Sequence, residues 1–231
     1  MLSMENVTKT YQMHGQRVVA LDDATLEIPE GDFVSLIGPS GSGKSSLLVM
    51  LGGMLSPTSG RVLLHGESMY DLNADGRARM RKANIGFVFQ TFNLIPYLSA
   101  QENVQIPLYL SGTAESEQAD RAAELLARVG LGDRLNHKPT ELSVGQQQRV
   151  ALARMLANDP AVILADEPTG NLDPETSEQV IGYFEEFNRE GRTIVMVTHN
   201  PAAAERAKRV LKLRNGKIVD DRASLQTVGA A

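Results

Sequence analysis

Hydrophobic residues gather in four short, nearly continuous runs, and the stretches between them show helical patterns. The runs cover residues 33–37, 85–89, 162–165 and 193–197 and are rich in branched apolar side chains. A parallel strand that is covered on both faces needs continuous rather than alternating hydrophobicity. These positions therefore predict a mostly parallel sheet enclosed by helices, which is an α/β fold.

Capping and helix-breaking residues predict five helices along the chain. Serine, aspartate and asparagine favour the N-cap, proline favours the first turn, and glycine favours the position beyond the end. From these signals we expect helices at 44–55, 121–129, from 144 towards 158, at 174–190 and from 201 onwards.

Further strand signals stand near both ends of the chain. Residues 4–9 and 18–28 are predicted to form antiparallel strands. Near the C-terminus, Asn215-Gly216 between two short apolar segments is typical of a two-residue hairpin turn. The small, polar residues after Asp220 are expected to fray.

The middle of the chain has a different character. Residues 91–158 combine helical patterns with a loop that holds Pro96 and Pro107, and they contain no convincing strand. We therefore expect a single domain in which residues 1–90 and 159–231 form the α/β core. The segment 91–158 would be a helical subdomain inserted into that core.

Composition narrows the classes of function. The chain has 231 residues, 42% of them hydrophobic, which suffices for one sizeable core. The net charge of −5 without a basic stripe argues against nucleic acid as a partner. The absence of cysteine excludes disulfides and thiolate metal sites. The N-terminal residues lack a signal-peptide pattern, and no apolar run approaches the ~20 residues of a membrane span, so we expect no crossing of a bilayer.

The segment after the first of the four hydrophobic runs carries the clearest chemical signal. It matches G-x-x-x-x-G-K-[ST], in which glycines let successive backbone N–H groups surround phosphate oxygens in front of a helix N-terminus. Lys44 can reach the β- and γ-phosphates, and the Ser45 hydroxyl can ligate Mg²⁺. The predicted phosphate-binding residues are Gly38, Pro39, Ser40, Gly41, Ser42, Gly43, Lys44, Ser45 and Ser46.

Two carboxylates follow the run at 162–165. Asp166 would hold Mg²⁺ through water at the carboxyl end of a strand, and Glu167 would polarise the attacking water. An acidic residue at a strand end is often only a cap. The combination of these two carboxylates with the phosphate loop favours a catalytic role.

The helix start at 142–146 has two interpretations. Ser143 and Gln146 have the spacing of a capping box, which predicts a well-capped helix. The same N–H groups and hydroxyl also form an anion site, in which Gly145 would let a γ-phosphate approach the backbone closely. Taken alone, the segment favours the cap.

In order and spacing, these motifs resemble the ATPase subunits of ABC transporters over nearly the whole chain. The phosphate loop is similar to the Walker A motif, the strand before Asp166 and Glu167 to Walker B, and residues 142–146 to the signature L-S-G-G-Q. Val144 departs from this pattern, because the family usually has glycine there, and the valine should affect the turnover rate more than the mechanism. The other matches are Gln90 at the Q-loop, Asp173 in the D-loop, His199 as the switch histidine, and Tyr11 at the position of the adenine-stacking aromatic residue.

The resemblance implies a fold and an assembly. The fold is a P-loop NTPase (RecA-like) core with an N-terminal antiparallel β subdomain and an inserted helical subdomain. Two copies would pack head to tail and trap ATP and Mg²⁺, so that Ser143, Gly145 and Gln146 of one copy face the phosphate loop of the other. Tyr11, His199 and the start of helix 144–158 also admit ordinary structural roles.

The resemblance also implies a role for each residue. Lys44 would neutralise phosphate charge, Glu167 would activate water, and His199 would clamp the γ-phosphate. Asp173 would communicate across the dimer. The implied Mg²⁺-binding residues are Ser45, Gln90 and Asp166.

The runs 86–94 and 166–173 are most similar to the branch that holds the lipoprotein-releasing, macrolide-exporting and cell-division ATPases. This implies export or extraction of a lipoprotein, lipid, peptide or drug through a separate membrane permease, which would dock near residues 92–97. The chain would lie at the cytoplasmic face of the inner membrane, with a periplasmic adaptor reached through the permease. One alternative is a cell-division type ATPase that activates an extracytoplasmic hydrolase. Another is a silent nucleotide-binding adaptor, against which the intact Glu167 and His199 argue.

Overall fold

The computed structural model describes residues 1–13 and 15–224, which form ten β-strands and seven α-helices. The strands are β1 Leu2–Met13, β2 Gln16–Ile28, β3 Phe33–Ile37, β4 Ser59–Leu64, β5 Glu67–Ser68, β6 Ile85–Phe89, β7 Val162–Asp166, β8 Thr193–Val197, β9 Arg209–Arg214 and β10 Lys217–Ala223. The helices are α1 Lys44–Leu51, α2 Ala74–Asn84, α3 Ala100–Ser111, α4 Glu115–Arg128, α5 Val144–Leu156, α6 Pro174–Arg189 and α7 Pro201–Glu205.

The main sheet has the strand order β10-β9-β3-β8-β7-β6. Its strands are parallel except for β10, which pairs antiparallel with β9 at one edge. Alternate residues of β7 enter two different hydrophobic clusters, Ile163 and Ala165 on one side and Val162 and Leu164 on the other. The sheet is therefore covered on both faces, as the continuous hydrophobic runs predicted.

A second, antiparallel sheet has the order β2-β1-β4-β5. Leu2 and Met4 of β1 and Val62 of β4 are buried in the same cluster as Leu47 and Leu51 of α1. The two predicted N-terminal strands are confirmed, although β1 extends to residue 13 and β2 begins at residue 16. This sheet packs against the helix that follows the predicted phosphate loop.

The segment 91–158 contains α3, α4 and α5 and no strand. Leu126 of α4 and Leu152 of α5 lie in one hydrophobic cluster with Val88 of β6 and Ala165 of β7. The helical segment and the main sheet thus share a core. The division at residues 90/91 and 158/159 into core and insertion remains a prediction.

Helix α3 occupies a region where the sequence predicted a loop. It contains Pro107, which lacks a backbone donor and normally disrupts a helix interior. Ser99 and Glu102 form a complete capping box at its start, and Val104 and Leu108 are buried. The capping box and the buried side chains outweigh the one backbone hydrogen bond that Pro107 cannot donate.

Other differences have local causes. Helix α2 was not predicted because none of its residues is buried, so it has no apolar periodicity. Strands β4 and β5 were also missed, since the first half of β4 is exposed and polar. Helix α1 ends before Gly52, and α4 begins at Glu115 rather than at residue 121. Strand β10 continues past Asp220, where fraying was predicted, and residues 225–231 lie outside the described part of the chain.

Candidate functional site

Glycines determine the shape of the loop between β3 and α1. Gly38 and Gly43 have φ angles of 152° and 104°. A Cβ atom at Gly38 would lie 2.1 Å from the carbonyl oxygen of Leu213, and one at Gly43 would lie 2.1 Å from the carbonyl oxygen of Ala20. A larger residue would clash with backbone at either position, so the neighbouring strands fix the course of the predicted phosphate loop.

The Lys44 side chain arches back over this loop. Its Nζ donates hydrogen bonds to the carbonyl oxygens of Gly38 at 2.8 Å and Pro39 at 3.0 Å. The same loop borders a cavity of about 240 Å³, whose other wall is formed by strands β1 and β2. The cavity lining is Tyr11, Val18, Val19, Ala20, Gly41, Gly43, Lys44, Ser45 and Ser46.

Ser45 and Asp166 connect the loop to the neighbouring region of the sheet. The Ser45 hydroxyl donates a hydrogen bond to Asp166 Oδ1 at 3.3 Å. Burial raises the pKa of Asp166, and the adjacent Glu167 carboxylate raises it further, while the Ser45 hydrogen bond and Lys44 oppose both effects. A hydroxyl and a partly buried carboxylate are the kind of oxygen donors that a hard cation prefers.

Glu167 and His199 form a pair at the carboxyl ends of β7 and β8. Glu167 Oε2 lies 2.8 Å from His199 Nδ1 and accepts a second hydrogen bond from the His199 backbone N–H at 3.2 Å. Glu167 has a φ of 50°, which is unusual for a residue other than glycine, and its N–H donates to the Val197 carbonyl. The backbone is thus held in an uncommon conformation at the residue that the sequence marked as the base.

Gln90 follows β6 and contacts the loop after β7. Its Nε2 donates to Asn171 Oδ1 at 3.3 Å, and Asn171 Nδ2 donates to the Gln90 carbonyl at 3.1 Å. Of the three predicted metal-binding residues, Ser45 and Asp166 are thus hydrogen-bonded to each other, whereas Gln90 is hydrogen-bonded to Asn171. Within residues 1–13 and 15–224, no group of three or more histidine, aspartate and glutamate side chains could hold a metal ion.

The start of helix α5 is a complete capping box. The Gln146 N–H donates to Ser143 Oγ at 3.2 Å, and the Ser143 N–H donates to Gln146 Oε1 at 2.9 Å. Val144 is 48% exposed beside them. No hydrogen bond in the described part of the chain joins residues 142–146 to the phosphate loop, so this helix start forms a separate surface.

Gly145 packs directly against helix α6. A Cβ atom there would lie 2.5 Å from Thr176 Cγ2. Thr176 in turn donates its hydroxyl and its backbone N–H to Asp173, the N-cap of α6, at 2.6 and 3.0 Å. The sequence suggested that Gly145 lets a phosphate approach, and the structure adds a second requirement, the close contact with α6, for which the sequence carried no signal.

The loop after Gln90 is held by a partly buried arginine and a fully buried asparagine. Arg154 of α5 donates to the carbonyl oxygens of Phe92 at 2.5 Å and Asn93 at 2.6 Å, and both of these residues have φ angles near 50°. Burial lowers the pKa of the Arg154 guanidinium. The amide of Asn103, which is fully buried, exchanges hydrogen bonds with the backbone of Ile95 and donates to that of Leu98 and Ser99.

A cavity of about 300 Å³ lies on the side of the main sheet where β6 forms the edge. Its lining is mostly apolar and includes Met54, Phe87, Pro107 and Leu110, of which Leu110 is largely exposed. The sequence placed candidate contact residues in the segment 92–97, and Tyr97 there is likewise largely exposed.

A phosphate loop after a parallel strand, with paired carboxylates at the end of a nearby parallel strand, defines a P-loop nucleotide-binding protein. The family model described as ABC transporter matches residues 21–170. A macrolide export ATP-binding/permease protein of Hyphomonas neptunium is 47% identical over 98% of this chain and 35% of that protein. An ABC transporter ATP-binding protein of Thermotoga maritima is 48% identical over 94% of this chain and 93% of that protein.

Solved structures agree with these matches. A dimeric ATP-binding cassette in a post-hydrolysis state, bound to ADP and phosphate, superposes with a TM-score of 0.90 at 43% identity, over 96% of this chain and 98% of that chain. The chain therefore belongs to the ABC transporter family and is an ATP-binding cassette. It spans about a third of the length of the Hyphomonas relative. Residues 1–13 and 15–224 include no helix long and apolar enough to cross a membrane.

The contact between Gly145 and Thr176 predicts a coupled pair of substitutions. Gly145→Ala should lower the free energy of unfolding by about 1–3 kcal/mol, because the added methyl group overpacks the junction. Thr176→Ser removes Cγ2 but keeps the hydroxyl that bonds Asp173. The double variant should therefore regain most of the lost stability in urea unfolding. A double variant no more stable than Gly145→Ala would refute the packing explanation.

Asp166→Asn should stabilise the isolated protein in the absence of nucleotide and Mg²⁺. The folded-state pKa of Asp166 lies above its ordinary value of 3.8, so the ionised carboxylate disfavours the fold above the shifted pKa. The advantage of asparagine in urea unfolding should be present at pH 7 and shrink as the pH falls towards 3.8. An advantage that does not change with pH would have another origin.

Proposed function

We propose that this chain pairs with a second copy of itself, hydrolyses ATP, and thereby powers export or extraction of a lipoprotein, lipid, peptide or drug through a membrane permease. The observation that carries the proposal is the 3.3 Å hydrogen bond between Ser45 and Asp166. It joins the phosphate loop to the strand after which Glu167 stands. The chain's relatives, which are named as ATP-binding or ATP-binding/permease proteins, support the same activity.

The phosphate loop and the adjoining cavity would hold the nucleotide. Lys44 and the loop N–H groups would neutralise the triphosphate, since the ammonium is already held over the loop by two carbonyl oxygens. Tyr11 lines the cavity with Val18 and Val19, which are both more than 40% exposed. An aromatic ring beside an accessible apolar wall suits the stacking of adenine.

Mg²⁺ fits the oxygen donors of Ser45 and Asp166. Their hydrogen bond places the two side chains next to each other, and a cation would relieve the cost of keeping the partly buried Asp166 carboxylate ionised. When bound, the ion would offset negative charge on the phosphate oxygens. Gln90 is proposed as a further ligand through its Oε1, while its Nε2 donates to Asn171.

Glu167 would orient the attacking water and accept its proton, and His199 would contact the γ-phosphate. The hydrogen bonds from the ring and the backbone of His199 hold the carboxylate in one direction. Glu167 is 19% exposed and His199 is 69% exposed, so the base is sheltered while the imidazole faces outward. This geometry suits a histidine that meets a ligand and a carboxylate that stays in place.

The second copy would complete each site. Ser143, Gly145 and Gln146 form a helix start that makes no hydrogen bond to the phosphate loop of their own chain in the described residues. An anion site of this kind suits the γ-phosphate held by the partner. The similar solved cassettes are dimeric, which supports the head-to-tail pair. Asp173, which bonds Thr176 next to Gly145, would transmit contacts across the dimer.

The permease would dock at the loop 92–97 and in the apolar cavity beside β6. Arg154 and Asn103 hold this loop firmly, as a surface that transmits force requires. The cavity lined by Phe87, Pro107 and Leu110 suits an apolar helix from a membrane protein. The chain would then lie at the cytoplasmic face of the inner membrane, with a periplasmic adaptor reached through the permease.

Glu167→Gln should permit ATP binding but stop hydrolysis, because the amide cannot accept the proton of the water. ATP holds the two copies together, so the variant should elute as a stable dimer in gel filtration with ATP and Mg²⁺. Wild-type protein under the same conditions should return to monomer as it consumes ATP. A variant that remains monomeric with ATP would contradict the dimer.

Lys44→Ala should lose nucleotide affinity, because the loop loses the charge that neutralises the triphosphate. Titration calorimetry with ATP and Mg²⁺ should show a Kd raised at least about tenfold, equivalent to about 1.4 kcal/mol. Lys212→Ala, an exposed lysine on β9, is the matched control and should bind as the wild type does. Equal affinities for the two variants would contradict the assignment of Lys44.

A further inference from the structure

Gln148 of α5 is a fully buried polar side chain that none of the assigned roles uses. Its Nε2 donates a hydrogen bond of 2.7 Å to the carbonyl oxygen of Pro168. Its Oε1 is buried and has no hydrogen-bond partner among the described residues. A buried, half-satisfied amide is costly, whereas an apolar side chain of the same size would not be. The position of the hydrogen bond suggests why an amide stands there.

The bond connects two segments that belong to different ATP sites in the proposed dimer. Gln148 lies five residues beyond Ser143, which corresponds to about 7.5 Å along a rigid helix. Pro168 directly follows Glu167. In a head-to-tail pair, Ser143 would meet the γ-phosphate held by the partner, while Glu167 would act on the ATP held by its own chain. Gln148 therefore lies between a contact with one nucleotide and the base that acts on the other.

Several hydrogen bonds hold the loop that carries Glu167, including two from His199 to the Glu167 carboxylate and two between Asn171 and Gln90. The Glu167 N–H donates to the Val197 carbonyl, and the Gly170 N–H donates to the Glu167 carbonyl. Both bonds involve Glu167 itself or the strand beside it. The bond from Gln148 is different, because it reaches the loop from helix α5, and a shift of α5 along its axis would pull on the residue next to the base.

We propose that Gln148 is a positioning residue that couples the two ATP sites of the dimer. When the start of α5 engages the partner's nucleotide, the hydrogen bond to Pro168 sets the Glu167 loop of the same chain for hydrolysis. Each site then becomes competent only when the other holds ATP. The inference rests on the proposed head-to-tail dimer and adds a route by which its two sites communicate.

Gln148→Met tests the proposal, because methionine has a similar volume and no donor. Gln118→Met is the matched control: Gln118 of α4 is also buried, and it donates to the Thr113 carbonyl at 2.8 Å, away from the catalytic loop. Thermal unfolding should show similar losses for both variants. A purely structural role for Gln148 predicts that their enzyme kinetics are also similar.

We expect Gln148→Met to lower kcat about tenfold, as a displaced catalytic group does, with KM changed less than about twofold. Its Hill coefficient for ATP should fall towards 1, while Gln118→Met keeps the kcat and the Hill coefficient of the wild type. If Gln148→Met does not fold, Gln148→Asn takes its place in the test. Its amide is too short to reach Pro168, so it should show the same reduced kcat and the same reduced Hill coefficient.

The proposal is overturned if kcat or the Hill coefficient of the Gln148 variants matches that of Gln118→Met, or if KM rises in proportion to the loss of kcat. Failure of the underlying function looks different. Wild-type protein without ATPase activity, or Glu167→Gln without an ATP-bound dimer, would refute the head-to-tail enzyme itself. Combining Gln148→Met with Glu167→Gln should leave that dimer intact, because the bond to Pro168 acts on hydrolysis and not on closure.

Discussion

The parallel register of β3, β8 and β7 is the constraint on which the site depends. Val197 of β8 pairs with Leu36 of β3 on one side and with Asp166 of β7 on the other. The phosphate loop, which follows shortly after Leu36, therefore begins close to the end of β7 that carries the Asp166 carboxylate. Side chains alternate along a strand, so a slip of one residue would turn Asp166 to the opposite face. The bond between Ser45 and Asp166 therefore reports a correctly assembled sheet as well as a potential cation site.

Helix α5 connects three parts of the molecule. Its start is the capped segment after Ser143, Gln148 in its middle bonds the loop after Glu167, and Arg154 near its end bonds the loop at Phe92. These three attachments lie within about 17 Å, since a helix rises about 1.5 Å per residue. Helix α5 thus links the surface proposed to contact the partner's nucleotide, the loop of the candidate base, and the loop proposed to bind a permease.

The parts of the fold that could be predicted are those that depend on patterns among residues close together in the sequence. The four parallel strands, the phosphate loop, and the caps at Ser143 and Asp173 each follow from local pattern, and the structure has them all. Helix α2 escaped prediction because it buries nothing, and α3 because Pro107 masked its packing. Within the site, Gln90 remains a predicted cation ligand, and the sequence did not indicate that its Nε2 donates to Asn171. It also gave no sign of the contacts of Gly145, Gln148 or Arg154, because these depend on how α5 packs on segments far away in the chain.

The exposed valine at the start of α5 changes the thermodynamics of any surface that forms there. Val144 presents an isopropyl group to water, where the family's usual glycine would present only backbone. In a head-to-tail pair this group would leave the solvent when ATP draws the two copies together. Closure would then include a hydrophobic contribution and a more negative heat-capacity change than a glycine could provide. The valine's share of the association free energy would accordingly weaken on cooling, whereas a glycine would contribute no such share.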